Sequence, residues 1–112
     1  MLRGGATAAY VGESLFDLLT RTALSREAHA TLKELAAKKG IVFLSTPFSK
    51  EAADFLETLG VPVFKTGSGE LTNIPLQRHI ARKGRPMIVS TGMSTPEEID
   101  ATVRALDEEG AT

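Results

Sequence analysis

The stretch that decides the fold is Lys65-Thr66-Gly67-Ser68-Gly69-Glu70, which directly follows the apolar run Val61-Pro-Val-Phe64. It brings together a cation, two hydroxyls, two glycines and a carboxylate. Because glycines carry no side chain, a ligand can approach the backbone N–H groups of such a turn closely. The lysine and the hydroxyls can hold a phosphate or a carboxylate, and Glu70 lies where a neutral part of the same ligand would be. We therefore interpret this turn as a candidate anion site at the end of a strand.

The same arrangement occurs three times along the chain. An isolated Gly-Ser-Gly is more often a plain turn than a binding site. Here, however, the apolar run Ile41–Leu44 is followed by Ser45-Thr46-Pro47, and the run Pro86–Val89 is followed by Ser90-Thr91-Gly92. The repetition favours a shared binding edge over three unrelated turns.

Helices are predicted between these strands. The expected N-caps are Ser25, Ser49, Asn73 and Thr95, and the expected closing glycines are Gly40, Gly60, Gly84 and Gly110. An earlier short helix is predicted over residues 13–22. Alternating helices and strands indicate a parallel sheet with right-handed crossovers, in which ligands bind at the carboxyl ends of the strands.

The architecture that fits best is part of a barrel. The sequence has neither a G-x-G-x-x-G nor a P-loop spacing, which an open nucleotide-binding sheet would more often show. A complete eight-unit barrel takes about 250 residues, whereas this chain has 112. We therefore predict an α/β fold, a partial TIM (β/α)8 barrel with three parallel strands. Residues 13–112 would form three βα units, preceded by a flexible segment over residues 1–12.

Composition excludes several classes of function. The chain is 42% apolar and 24% charged, its formal net charge is −1, and it has no cysteine. Its basic residues are scattered through helical segments, so there is no electrostatic footprint for nucleic acid and no polybasic patch for a membrane. The longest strand-like apolar run is far too short to span a bilayer. We expect a cytoplasmic protein without disulfides or thiolate metal sites.

Three separate segments resemble one enzyme family. These are Phe43-Leu-Ser-Thr-Pro-Phe48, Phe64-Lys-Thr-Gly-Ser-Gly-Glu-Leu-Thr-Asn-Ile-Pro-Leu76 and Lys83-Gly-Arg-Pro-Met-Ile-Val-Ser-Thr-Gly-Met93. They resemble the N-acetylneuraminate (sialic acid) synthase family, and the resemblance extends from about Glu13 to the C terminus. It implies the central part of a TIM-barrel enzyme that condenses phosphoenolpyruvate with N-acetylmannosamine or a related amino sugar to give a nonulosonic acid.

The resemblance also implies a cofactor and a quaternary structure. Enzymes of this kind use a divalent metal, manganese or magnesium, and they form homodimers with a C-terminal antifreeze-like domain. Their metal ligands are histidines on later strands that this chain lacks. His29 and His79 are therefore interpreted as packing or surface histidines, and no metal site is predicted here.

Particular residues acquire roles through the same resemblance. Thr46, Lys65, Ser68 and Ser90 match positions that hold phosphoenolpyruvate, and Glu70 matches a position near the sugar. Lys65 and Glu70 are the expected catalytic residues. Thr66 departs from the family pattern, because an apolar residue is usual there. Since it follows Lys65 in a strand, its side chain is expected to face the covering helices and to pack there.

Two other functions stay open at this point. In a Schiff-base aldolase, Lys65 would be the nucleophile, which requires a desolvated lysine. In a truncated, non-catalytic product, the open edges of the sheet would drive self-association. For Thr46 or Ser90 taken alone, an ordinary strand-end residue is the more frequent interpretation.

Overall fold

The computed structural model describes residues 14–112. The predicted flexible segment, residues 1–12, lies outside this range. The chain divides into two compact units, Met1–Leu32 and Lys33–Thr112. Helix α1 (Leu15–Thr22) belongs to the first unit. Its N-cap is Ser14, whose side chain accepts a hydrogen bond from the backbone N–H of Asp17 at 3.1 Å.

The elements after α1 alternate much as the sequence predicts. They are α2 (Arg26–Lys38), α3 (Lys50–Leu59), β1 (Phe64–Thr66), a short 3-10 helix (Ser68–Glu70), α4 (Ile74–Ala81), β2 (Met87–Val89) and α5 (Pro96–Glu108). Helix α2 crosses the boundary between the two units. Both strands found within residues 14–112 lie in the second unit.

The predicted helix caps are confirmed. The backbone N–H of Ala28 donates to Ser25 Oγ at 3.0 Å, and Ser49 and Asn73 cap α3 and α4 in the same way. At the start of α5, Thr95 and Glu98 form a reciprocal capping box. These local hydrogen bonds satisfy N–H groups that a helix leaves unpaired in its first turn, and they fix where each helix begins.

In the described part of the chain the sheet has two parallel strands rather than the predicted three. Strand β1 pairs with β2, and α4 forms the crossover between them. The prediction of a strand at Ile41–Leu44 was wrong. The N–H of Ile41 donates to Ala36 O at 3.0 Å and so closes the end of α2. The Ile41 side chain is 65% exposed. An apolar, β-prone run does not become a strand without hydrogen bonds to a neighbour.

One face of this sheet packs against helices. Phe64 of β1 is fully buried, together with residues of α3, the following loop and α4. That cluster is Ala53, Leu56, Val61, Phe64, Leu76 and Ile80, with Phe43, Phe55, Leu59 and Met87 packed around it. We call this the buried face. The opposite face carries Lys65 and Ile88, which stand side by side in the register, and we call it the open face.

The helices within residues 14–112 are all too short or too polar to cross a bilayer.

Candidate active site

The three polar segments predicted to form a site meet around Gly67. A Cβ atom on Gly67 would lie 3.3 Å from Cε1 of Phe48 and 3.7 Å from Cγ2 of Thr46. The segment that follows the unpaired run Ile41–Leu44 therefore reaches the end of β1, although it does not join the sheet. Gly67 has extended backbone geometry, with φ −73° and ψ 153°, so it is the close approach of Phe48 that favours glycine here.

Lys65 and Ser90 make the central contact. Lys65 Nζ donates to Ser90 Oγ at 3.1 Å, across 25 residues of sequence. Both side chains are half-buried. The N–H of Ser90 donates to Thr66 O at 3.2 Å, which continues the ladder just beyond β2. This backbone contact holds the two strand ends together, so the cation and the hydroxyl lie on the same side of the sheet.

Ser68 lies beside the third segment. A Cβ atom on Gly92 would be 3.8 Å from Cβ of Ser68. The turn after β1 and the loop after β2 are thus in contact. We use the name strand-end site for the five predicted residues, which are Thr46, Lys65, Ser68, Glu70 and Ser90.

Glu70 is held by its neighbour. Its Oε2 accepts a hydrogen bond from Asn73 Nδ2 at 2.9 Å. The structure thus pairs the Glu70 carboxylate with the residue that caps α4, rather than with Lys65. One carboxylate oxygen of Glu70 makes this bond.

Thr66 faces the helices, as predicted. Its side chain is fully buried, and its Oγ1 has no hydrogen-bond partner among residues 14–112. The residue therefore belongs to the buried face and does not contribute its hydroxyl to the strand-end site. Of the two hydroxyl residues in the opening motif, Ser68 is half-buried and lies beside Gly92.

No metal centre is formed in the part of the chain that the structure describes. Residues 14–112 contain no group of three or more His, Cys, Asp or Glu side chains that could hold an ion. His79 is instead paired, with its Nε2 2.7 Å from Asp54 Oδ1. The strand-end site offers one carboxylate, Glu70, beside a lysine and hydroxyls, and this donor set does not fit a divalent cation, which prefers several carboxylate oxygens or imidazoles.

A shallow cavity of about 210 Å³ lies elsewhere. Its lining includes Lys33, Ile41 and Pro62, residues that precede the strands or extended segments in the chain. The strand-end site contributes none of its five residues to this lining. In parallel α/β folds the chemistry is found at the carboxyl ends, so we do not assign this cavity to the site.

Ion pairs join the helices that cover the buried face. Lys83 Nζ lies 2.6 Å from Asp54 and 2.8 Å from Glu57, which links the end of α4 to α3. Hydrogen bonds from Lys83 and His79 lower the pKa of Asp54. On the other side of α4, Arg82 and Arg78 donate to Glu109, just past the end of α5, and lower the pKa of that carboxyl.

Two site-related residues were missed by the sequence analysis. Gln77 Nε2 donates to the backbone carbonyl of Glu70 at 3.0 Å, and Thr102 Oγ1 donates to that of Leu71 at 2.9 Å. A signal for Gln77 was present in the sequence, because it lies within the apolar stripe of α4 beside Leu76. An amide in that stripe needs a buried partner.

The comparison with protein families is decisive. Residues 5–112 match the model of the NeuB family. The chain belongs to this family. Among curated NeuB-type relatives, N,N'-diacetyllegionaminic acid synthase of Legionella pneumophila is 43% identical over 79% of this chain and 25% of its own length. Human N-acetylneuraminate-9-phosphate synthase is 39% identical over 63% of this chain and 20% of its own. The predicted family is thereby confirmed.

Solved structures agree with this assignment. The N-acetylneuraminic acid synthetase of Leptospira borgpetersenii, solved with citrate, matches with a TM-score of 0.82 and 28% identity, over 85% of this chain and 33% of that one. A truncated 3-deoxy-D-arabino-heptulosonate 7-phosphate synthase of Thermotoga maritima matches with a TM-score of 0.71 at 18% identity, over 79% of this chain and 33% of that one, which bears on the fold alone. These neighbours are TIM-barrel synthases, so the NeuB-family chain is α/β and similar to part of such a barrel. It spans about a fifth to a third of the length of these relatives.

Proposed function

We propose that this chain carries the phosphoenolpyruvate-binding part of a nonulosonic acid synthase, which condenses phosphoenolpyruvate with N-acetylmannosamine or a related amino sugar. The observation that carries the proposal is the contact between Lys65 and Ser90 at the carboxyl ends of two parallel strands. Thr46 and Ser68 approach the same edge from either side of Gly67. The complete reaction is the activity proposed for the family, and this chain would supply the phosphoenolpyruvate-binding part.

A multiply anionic substrate suits these side chains. Hydrogen bonds between a charged donor and a phosphate or carboxylate are about twice as strong as neutral ones. Lys65 makes no ion pair with a carboxylate within residues 14–112, and its described partner is the neutral Ser90 hydroxyl. An incoming anion would therefore meet a lysine charge that is not already neutralised by the described part of the protein.

In this proposal the residues of the strand-end site position the substrate and stabilise the charge that develops during the reaction. The enol carbon of phosphoenolpyruvate attacks the aldehyde carbon of the sugar and forms the new C–C bond. The sugar oxygen takes up a proton as this bond forms. Water then adds to the resulting cationic carbon and loses a proton, and phosphate leaves with the electron pair of its C–O bond as the new carbonyl group forms. Lys65, Ser68 and Ser90 would hold the phosphate and carboxylate through these steps, which is catalysis by orientation and by electrostatic stabilisation. Glu70 would accept hydrogen bonds from hydroxyl groups of the sugar, or it would transfer a proton to or from the sugar.

A divalent metal is part of the family-level expectation. The described residues do not offer ligands for it, and no step above passes through one. The expected homo-oligomer and the cytoplasmic location likewise stay predictions, which sedimentation and cell fractionation would test.

The Schiff-base alternative receives less support. A nucleophilic lysine has to be desolvated, whereas Lys65 is only half-buried and donates to a hydroxyl. Borohydride trapping with a keto substrate separates the two reactions. A covalent adduct at Lys65 would contradict the synthase proposal.

The direct test is calorimetric titration of the chain with phosphoenolpyruvate. We expect the double variant Lys65→Ala, Ser68→Ala to weaken binding by at least about 10- to 100-fold, the loss expected when hydrogen bonds to a charged group are removed. Lys39→Ala, an exposed lysine just after α2, is the charge-matched control and should bind like the wild type. Equal weakening in both variants would mean that only net charge matters. No binding by the folded wild-type chain would mean that these strand ends do not form the site by themselves.

A further inference from the structure

Two buried polar side chains fasten the turn that carries Ser68 and Glu70. Gln77 of α4 is 0% exposed and Thr102 of α5 is 1% exposed. Each donates one hydrogen bond to a backbone carbonyl of the turn, Gln77 to Glu70 and Thr102 to Leu71. The turn is thus hydrogen-bonded to two different helices, α4 and α5, through the carbonyl groups of two successive residues.

The Glu70 carbonyl has a second donor as well. It accepts the backbone N–H of Asn73 at 3.0 Å, in addition to Gln77 Nε2 at 3.0 Å. A carbonyl oxygen has two lone pairs, so both are used. Because Asn73 also binds the Glu70 side chain, the backbone and the carboxylate of Glu70 are fixed through one small network.

The presence of a glutamine at position 77 is poorly explained by its contribution to folding stability alone. Its Oε1 is buried and has no hydrogen-bond partner among residues 14–112, and leaving a buried acceptor unpaired is unfavourable. An apolar residue would match its neighbours in the stripe of α4, Leu76 and Ile80, which are both buried. The bond to the Glu70 carbonyl is the contribution that an apolar residue could not make.

We propose that Gln77 and Thr102 are positioning residues, which hold the Ser68–Leu71 backbone so that Ser68 and Glu70 stay at the substrate. This inference rests on the proposed function, because it assumes that the turn is a substrate-binding element. Neither side chain touches the substrate in this arrangement. They act through the carbonyls of Glu70 and Leu71.

The test uses isosteric and conservative variants in the full chain. Thr102→Val keeps the shape and removes the hydroxyl, whereas Thr102→Ser keeps the hydroxyl. Gln77→Met keeps the length and removes the amide. Amide hydrogen exchange without ligand should be about tenfold faster at Glu70, Leu71 and Asn73 in the Val and Met variants, the effect of losing about one hydrogen bond. The Ser variant should match the wild type, and amides in the core of α3 should be unchanged in all three variants.

Phosphoenolpyruvate titration of the same variants supplies the second readout. Weaker binding in the Val and Met variants, restored in the Ser variant, supports the proposal. It is overturned if exchange accelerates equally throughout the chain, because the residues would then serve only general stability. Local acceleration with unchanged affinity overturns it too. If the wild type does not bind phosphoenolpyruvate, the proposed function fails for this chain, and ligand-free exchange still decides whether the turn is anchored as described.

Discussion

The two faces of the small sheet differ in what covers them. On the buried face, Phe64 is 0% exposed and packs against α3 and α4. On the open face, Ile88 is 50% exposed, and its register partner Lys65 donates to Ser90. Two consecutive residues of β1, Phe64 and Lys65, therefore lie on different faces of the sheet. We therefore expect that stability and ligand binding can be altered separately in this protein, by substitutions one residue apart.

The strongest test of this division is Phe64→Ala against Ile88→Ala. Removing a fully buried phenylalanine leaves a cavity, and we expect a loss of about 3–5 kcal/mol in the free energy of unfolding. Ile88→Ala on the open face should lose much less, because half of that side chain is already in water. Denaturant unfolding followed by circular dichroism measures both. Equal losses would show that the open face is covered in solution.

A smaller effect, of opposite sign, is expected at Thr66. Its buried Oγ1 has no partner in the described chain, so Thr66→Val replaces an unsatisfied hydroxyl with a methyl group of similar size. We expect unfolding to become more unfavourable by about 1 kcal/mol, with phosphoenolpyruvate affinity unchanged. Thr66→Ser, which keeps the hydroxyl and loses the methyl group, should be less stable than the wild type. A destabilised Val variant would mean that the hydroxyl has a partner, such as a buried water.

Gly67→Ala is expected to change binding more than stability. The new Cβ would lie 3.3 Å from the Phe48 ring. That ring is 68% exposed and can move aside, so we expect a stability change within about 0.5 kcal/mol. Displacing the ring would disturb Thr46 and weaken phosphoenolpyruvate binding. Gly69→Ala, which meets no atom within 4 Å, is the matched control. Indistinguishable affinities in the two variants would contradict this account.

The smallest expected effect is a loss of stability in acid. Arg82 and Arg78 lower the folded-state pKa of Glu109 below its ordinary value of 4.5. The carboxylate therefore contributes stability that is fully present above that value and is lost as the pH falls through the lower, folded-state pKa. Urea unfolding between pH 7 and pH 3 should show a weaker pH dependence in Glu109→Gln than in the wild type. Equal slopes would mean that this ion pair does not contribute.

How much of the fold could be predicted depended on the range of the interactions. Ser49, Asn73 and the Thr95–Glu98 capping box were predicted correctly, since a cap and its partner lie within three residues. The strand at Ile41–Leu44 was predicted wrongly, since pairing depends on a neighbour far away in sequence. The anchor Thr102 was missed for the same reason, whereas Gln77 had a local signal, an amide in the apolar stripe of α4. Thr102 contacts a carbonyl 31 residues away, and no local pattern marks such a contact.

For the site residues, too, the success of the prediction depended in part on the range of the interactions. The repeated motif predicted that Lys65 and Ser90 lie together, because parallel strands end at the same edge of a sheet, and the structure brings these two side chains into contact. Thr46 comes close to Gly67 from a segment outside the sheet. The pairing of Lys65 with Ser90, and of Glu70 with Asn73, depends on side-chain geometry that the motif does not encode. Their roles toward a substrate stay predictions until binding is measured.

The contact between Lys65 and Ser90 also links ligand binding to folding. The two residues belong to different strands, so the pair cannot exist until α4 has folded across and the second strand has docked. A ligand that contacts both side chains would bind the folded chain and not the unfolded one. By mass action, a ligand at 100 times its dissociation constant would stabilise such a state by about 2.7 kcal/mol. A ligand of this kind would stabilise the pairing of the two strands, and its concentration would set the size of that stabilisation.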